Sequence, residues 1–434
     1  MTSGQSIGVG LMGLGTVAGQ VARVLVGRAA LLSEKVGRPL VLRRIKVLPA
    51  DLSRPQVKEM EPRLFTTDVD DFFATPGIDI VVEAIGGEKP ALEYLQKALS
   101  SGRHAVTSNK EVVAKHWAEL QALAEQNGVE LHFEASVGGG IPLIAPFQHD
   151  LVANHIKGIY AIINGTTNYI LTSMARDGVD FPVALRQAQE LGYAEANPRN
   201  DVEGIDASYK LAIMASLNYQ TWVRPESIHC EGITRLASQD FQYARELGFA
   251  IKLLAIGKQA DGRVEVRVHP VLIAEDSLLA KVDGVYNAVL VEGDLVGKVL
   301  FFGEGAGAMP TSSAVVADIV AAARSIVSGA VSGARWRLKP EVTVRPMAEI
   351  ETRYYPRMNV ADQPGVLAQI SQVLGDHQIS ISSVIQKMTD KVKQTAEIVI
   401  MTHPAVERAM QQALEGLEHL AVVNQIGNFI RVEG

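Results

Sequence analysis

Apolar and polar positions along the first third of the chain follow a strand–helix rhythm. Residues 7–11 form a short apolar strand that runs into Gly13-Leu14-Gly15-Thr16-Val17-Ala18-Gly19, after which Val21, Val24 and Leu25 recur at helical spacing. Further strand-like runs fall at 41–48, 80–83, 105–107 and 129–134, with helical patterns at about 88–100 and 110–126. Alternation of this kind predicts a doubly wound α/β sheet of parallel strands over residues 1–150. From about 151 the rhythm changes. A strand at 158–163 precedes the polar turn Asn164-Gly165-Thr166-Thr167-Asn168 and a helix, and later apolar strands include 264–270 and 285–291. This predicts an α+β region over 151–349 whose sheet could also pair subunits. A basic, proline-punctuated linker (335–346) leads to a compact module over 351–434. Its expected order is a strand (354–360), a turn, a helix (366–377), two strands, a helix (405–414) and a last strand.

Length and composition narrow the class. A chain of 434 residues is too long for one ordinary core, and 47% hydrophobic with 21% charged residues is the balance of a globular protein. The net charge of -7 argues against nucleic acid or an anionic membrane as the main partner. Cys230 is the one cysteine, so an internal disulfide and a thiol-rich metal site are excluded. It reads as a small buried hydrophobe. The start of the chain lacks a basic segment followed by an apolar block, and the apolar stretch at 319–334 contains Arg324. A cytoplasmic location is expected.

Three places carry candidate chemistry. The first is the G-x-G-x-x-A turn between strand and helix, the order that a dinucleotide site requires. Gly13 permits the tight turn, Gly15 lets backbone approach a pyrophosphate, and Ala18 permits close helix packing. Leu14, Thr16 and Val17 complete the turn, whose N–H groups and helix dipole favour an anion. Asp51 is the nearest acid for a ribose hydroxyl, whereas Arg43, Arg44, Lys46 and Arg54 are cations suited to a 2′-phosphate, so NAD and NADP both stay open.

The second place is the set of polar clusters at strand ends: 84–87, 107–110 with Ser108 and Lys110, and 134–140. Lys110 begins a helix, where the dipole disfavours a cation, and this points to function rather than structure. A second glycine-rich loop, 301–311 with Gly307, either returns the chain to the cofactor (301–335 then packing on the first domain) or is a plain connection. The third place is 188–210, AQELGYAEANPRNDVEGIDASYK, with five carboxylates and a shaped loop leading into a helix. Asp206 and Lys210 share one face of that helix. Such a pair is often a surface ion pair, but acids aimed from a loop towards a lysine also suit a cationic, hydroxyl-bearing small molecule.

The C-terminal βαββαβ order with Asp362-Gln-Pro-Gly365-Val-Leu after its first strand resembles the ACT domain of amino-acid-regulated enzymes. Over its whole length the chain resembles homoserine dehydrogenases of the single-function, ACT-bearing type. Residues 188–210 are similar to the family signature at every fixed position except one: Asn197 stands where Asp is usual. Ser108-Asn109-Lys110, the turn at 164–167 and the loop at 305–311 are similar too.

The resemblance implies NAD(P)-dependent interconversion of L-homoserine and L-aspartate 4-semialdehyde. It implies catalytic Lys110 and Lys210, with Asp206 beside Lys210 holding the reacting oxygen. Glu195 and Asp201 would receive the substrate ammonium, and Gly165, Thr166 and Tyr193 would line the substrate. A monovalent cation, typically sodium, would be held mainly by backbone carbonyls of the segment with Glu134, Val137, Gly139 and Ile141. A homodimer or homotetramer and an amino-acid effector at the ACT module are also implied. A lysine suits the chemistry, because it can take a proton as base when its pKa is lowered and stabilise an alkoxide as acid. Two other readings are a dehydrogenase of another polar amino or hydroxy acid, and a non-catalytic amino-acid sensor.

Overall fold

The computed structural model describes residues 6–329, 342–390 and 392–433. The expected linker lies outside the described residues as far as residue 341. By packing, the chain forms two units: residues 1–156, 209–225 and 292–341, and residues 157–208, 226–291 and 342–434.

The first unit is built on six strands: β1 (Ile7–Met12), β2 (Leu40–Lys46), β3 (Phe65–Thr66), β4 (Ile80–Glu83), β5 (His104–Thr107) and β6 (Leu131–His132). They pair in the order β3-β2-β1-β4-β5-β6, all parallel. This is the Rossmann order, with the reversal between β1 and β4. β1 and β4 are buried along their whole length, as central strands covered on both faces must be. The helix Ala308–Ser328, remote in sequence, packs beside the helix Thr16–Gly27; Val315, Ile319 and Ala322 join Val9, Leu11 and Val21 in one core. That long helix is apolar enough to cross a membrane by length and composition alone. Here its apolar side closes the first unit.

In the second unit the remaining strands are β7 (Ile156–Ile162), β8 (His229–Cys230), β9 (Phe249–Ala260), β10 (Arg263–Ala274), β11 (Tyr286–Gly293), β13 (Glu351–Ala361), β14 (Ile381–Asp390), β15 (Thr395–Thr402), β16 (Ala405–Val406) and β17 (Val423–Glu433); β12 (Gly297–Glu304) belongs to the first unit. One sheet runs β11-β7-β9-β10-β17-β13-β15-β14. The C-terminal module therefore shares a sheet with the middle of the chain, through parallel pairing of Val271 to Ile273 with Arg431 to Glu433. Its own elements run β13, helix Val366–Asp376, β14, β15, helix Glu407–Glu418, β17, with β16 a short addition; this is the ferredoxin-like ACT order.

Two buried arginines fasten that joint. Arg357 pairs with Asp240 (2.6 Å) and Glu397 (2.8 Å), and Arg431 pairs with Glu407 (2.6 Å) and Glu231 (2.9 Å). Removing one partner from such a pair strands a charge, at a cost of about 3–5 kcal/mol.

Several elements differ from expectation. The helix expected after the glycine turn is Thr16–Gly27, and a second, Ala29–Val36, follows it directly and is ended by left-handed Gly37. The strand expected at 129–134 is only Leu131–His132, because Glu134–Ser136 turns into a 3-10 helix. The last helix runs four residues further, Glu407–Glu418, since Leu417 packs into the core of the module. Cys230 is exposed rather than buried. Its thiol donates to the Glu203 carbonyl (3.1 Å), and partial burial, with Glu203 and Glu231 nearby, pushes it up to about 11.

Candidate functional site

The glycine turn opens the first part of the site. Gly13 has φ +98°, and a side chain there would strike Ile85 and the Ala84 carbonyl. A Cβ on Gly15 would meet nothing. Gly15 is also the N-cap of the Thr16–Gly27 helix, with no side chain capping its first N–H groups. The backbone is therefore bare where an anion would dock.

A cleft of about 310 Å³ lies there, lined by Gly13, Leu14, Gly15, Lys46, Leu48, Asp51, Arg54 and the loop Ala84 to Gly86. The buried Ala18 and the neighbouring Thr16 and Val17 form the first turn of the helix. Cleft and turn fit a dinucleotide.

Asp51 lines the cleft, but it lies in the 3-10 turn Pro49–Ser53 rather than at the end of β2. Its carboxylate accepts the Leu48 N–H (3.1 Å) and pairs with Arg54 Nε (2.8 Å). Arg54 also donates to the Leu14 carbonyl (3.2 Å). Arg43 donates to Ser6, and Arg44 to Asp71 and the Arg63 carbonyl. Of the four candidate cations, Lys46 and Arg54 line the cleft.

Lys110 is the first residue of the helix Lys110–Gln126, whose N-cap Asn109 accepts the Val112 N–H (3.2 Å). Ser108 N–H donates back to the Glu83 carbonyl at the end of β4 (3.3 Å). Lys210 sits on the helix Ile205–Tyr219 and is buried, as is Asp206 one turn earlier. Residues one turn past each lysine, Val113 and Ala114 on one helix and Ile213 on the other, line a single small crevice.

The substrate-loop candidates are organised by a residue that the reading of the sequence left without a role. Asn164, N-cap of the helix Gly165–Asp177, uses its Oδ1 to accept the Thr167 N–H (2.9 Å). Its Nδ2 donates to both Asp201 (2.7 Å) and Asp206 (2.9 Å). One amide thus holds two carboxylates that would otherwise repel. Thr166 Oγ1 donates to the Tyr193 carbonyl (2.6 Å), and the Tyr193 ring lies 5.0 Å from that of Tyr169. Gly165 is required by close approach: a Cβ would come within 2.7 Å of the Val285 carbonyl. Glu195 is exposed on the loop and its carbonyl accepts from Gln189 (3.1 Å).

Glu134 has a task that spacing did not show. Its carboxylate accepts three backbone N–H groups, from Leu143 (2.6 Å), Ile144 (2.9 Å) and Ala145 (2.7 Å), at the start of the short helix Ile144–Gln148. Its own N–H donates to buried Asp318 (2.8 Å). Burial lifts the Asp318 carboxyl to about 7 even with His132 nearby. Between Val137 and Ile141 the chain turns through left-handed Gly138 and Gly139, the latter lying against Gly305 of the second glycine-rich loop. That loop ends at Gly307, N-cap of the helix Ala308–Ser328.

A Rossmann sheet with a bare glycine turn opening on a cleft, carboxylates gathered ahead of a buried lysine, and an ACT module define an NAD(P)-binding oxidoreductase under amino-acid-type architecture. Residues 13–134 match the family model for the NAD binding domain of homoserine dehydrogenase, residues 142–320 that for homoserine dehydrogenase, and residues 357–419 that for the ACT domain. The chain is 43% identical to the homoserine dehydrogenase of Neisseria gonorrhoeae over 98% of both chains, and 42% identical to that of Synechocystis over 98% of this chain and 99% of the other. Among solved structures, a homoserine dehydrogenase from Thiobacillus denitrificans superposes with a TM-score of 0.92 at 40% identity, covering 99% of this chain and 98% of that one. A hyperthermophilic archaeal homoserine dehydrogenase in complex with NADPH covers 73% of this chain and 98% of its own, with a TM-score of 0.63 at 25% identity. The chain belongs to the homoserine dehydrogenase family. Its reaction is the NAD(P)-dependent interconversion of L-homoserine and L-aspartate 4-semialdehyde, and the two other readings have no support.

Proposed function

We propose that the candidate residues divide the reaction as follows. Lys110 and Lys210 are the catalytic lysines: one takes the hydroxyl proton as homoserine is oxidised and returns it in the reverse direction. Asp206 holds the reacting oxygen beside Lys210. Glu195 and Asp201 receive the substrate ammonium, and Gly165, Thr166 and Tyr193 line the substrate. A bound nicotinamide supplies the hydride acceptor or donor. Gly13, Leu14, Gly15, Thr16, Val17 and Ala18 hold its pyrophosphate, with Ser108, Lys110 and Gly307 contributing from neighbouring loops. The observation that carries this reading is the Asn164 amide shared by Asp201 and Asp206, which gathers negative charge at the start of the helix bearing Lys210.

NADP fits the cleft better than NAD. Two cations, Lys46 and Arg54, line the cleft beside one acid, Asp51, and the ion pair with Arg54 means that Asp51 is not a free acid to accept from a ribose hydroxyl. A monovalent cation such as sodium suits the carbonyls of Glu134, Val137, Gly139 and Ile141. Carbonyls are the ligands available there, since the Glu134 carboxylate is spent on three N–H groups. By role the chain divides into a cofactor domain (1–150, with 301–335 returning to it), a substrate and dimerisation domain (151–349) and an ACT domain (351–434) that takes an amino-acid effector. The enzyme works in the cytoplasm as a homodimer or homotetramer. The test is the initial rate of nicotinamide reduction with L-homoserine and NAD or NADP in parallel, with sodium present or absent. Turnover with the lower KM for NADP is expected; a lower KM for NAD would restore Asp51 as the ribose reader, and no turnover would refute the assignment of roles.

A further inference from the structure

Glu83 ends β4 and is completely buried, yet nothing in the division of labour above uses its side chain. One carboxylate oxygen accepts the Ile85 N–H (2.8 Å) and the other the Thr107 hydroxyl (2.5 Å). The Thr107 oxygen accepts the Asn109 N–H (3.0 Å). Asn109 caps the helix that starts at Lys110 and donates its amide to the Gly87 carbonyl (2.7 Å). A buried acid therefore links two loops at the carboxyl ends of neighbouring strands. One, residues 84–87, lines the cleft through Ala84, Ile85 and Gly86; the other, residues 107–110, presents Lys110. Burial raises the Glu83 carboxyl above its ordinary value, an expense that an apolar residue of similar size would avoid. The oxygens are spent on keeping both loops in one register.

We propose that Glu83, acting through Thr107 and Asn109, is a positioning residue that sets Lys110 relative to the Ala84–Gly86 wall of the cofactor cleft. This rests on the reading of Lys110 as a catalytic lysine. Placement errors of this kind lower the rate of the chemical step more than they weaken ground-state binding, because the geometry is needed most in the transition state.

The test compares Thr107→Val, Thr107→Ser, Glu83→Gln, the double variant Glu83→Gln/Thr107→Val and Lys110→Ala in the full-length enzyme. The readouts are kcat, the KM for L-homoserine and the dissociation constant of the reduced cofactor. Thr107→Val and Glu83→Gln should each lower kcat roughly tenfold with the KM for homoserine changed less than about twofold. Thr107→Ser, which keeps the hydroxyl, should restore kcat. The double variant should be no slower than the slower single one, since both cut the same link. Should Glu83→Gln fail to fold, the contrast between Thr107→Val and Thr107→Ser still decides. Thr107→Val with kcat within about twofold of the parent, or losses that multiply in the double variant, would overturn the proposal. Near-normal turnover by Lys110→Ala would instead remove the reading of Lys110; a dead Lys110→Ala beside a normal Thr107→Val would sink only the positioning role.

Discussion

The proposed cofactor cleft and the proposed substrate loop are both shaped by glycine and carboxylate, but they are held by different means. The cleft is made of backbone. Gly13 turns where a side chain would clash, Gly15 leaves open space, and a helix start supplies uncapped N–H groups. The substrate loop is made by side chains that meet across long stretches of sequence. Asn164 reaches Asp201 and Asp206, some forty residues on, and Thr166 reaches the Tyr193 carbonyl. A backbone site is damaged by adding atoms, a side-chain site by removing them. The two regions should therefore fail separately, and in opposite kinds of substitution.

The largest effect expected is that of Lys210→Ala, which should lower kcat at least about a thousandfold while the cofactor still binds. Kinetics and a cofactor titration check it, and a near-normal kcat would take Lys210 out of the mechanism. Gly15→Val puts a side chain into the open space, where its Cβ would meet no neighbour. It should weaken cofactor binding roughly a hundredfold with little change in melting temperature, which would show that the glycine serves a ligand and not the fold. A third substitution sharpens the choice of cofactor within the cleft. Arg54→Ala should raise the KM for NADP about tenfold and leave that for NAD nearly unchanged; equal changes in both would mean that Arg54 only braces Asp51 and Leu14.

The smallest effect concerns stability of the first unit. The folded chain keeps a proton on Asp318 up to about pH 7, whereas an unfolded Asp releases it near 4, so this group's stabilising contribution is fully present below about pH 4 and is lost as the pH rises through 7. Asp318→Asn retains an acceptor for the Glu134 N–H. Its melting temperature should exceed the parent's by a few degrees at about pH 8, and the gain should shrink as the pH falls from 7 and vanish below about pH 4. A gain that is independent of pH would contradict the role of the proton.

What could be read from the sequence follows the same division. Strand, glycine turn and helix are neighbours in the chain, so the parallel sheet and its anion-binding turn were legible at Ile7 to Ala18. The C-terminal βαββαβ order was legible for the same reason. Local pattern could not show that β17 would extend the sheet of the middle region, because Val271 and Arg431 are paired only by folding. Nor could it show Asn164 as the brace of two acids, or Glu134 as the cap of Ile144–Gln148. Asp51 lines the cleft as the nearest acid, but its pairing with Arg54 could not be read from spacing, because β2 stops at Lys46 and Pro49 starts the 3-10 turn that brings the two together. In the 188–210 stretch the candidate residues were visible from their types, while the bonds that organise them came from outside it.

The measurement that tests the division between the two regions most directly is Asn164→Ala, followed by two titrations. The account predicts that the KM for L-homoserine rises about tenfold or more, since two acids lose a hydrogen bond to a shared amide. The dissociation constant for the reduced cofactor should stay within about twofold of the parent's. A variant in which substrate and cofactor binding weaken together, or in which neither changes, would contradict it.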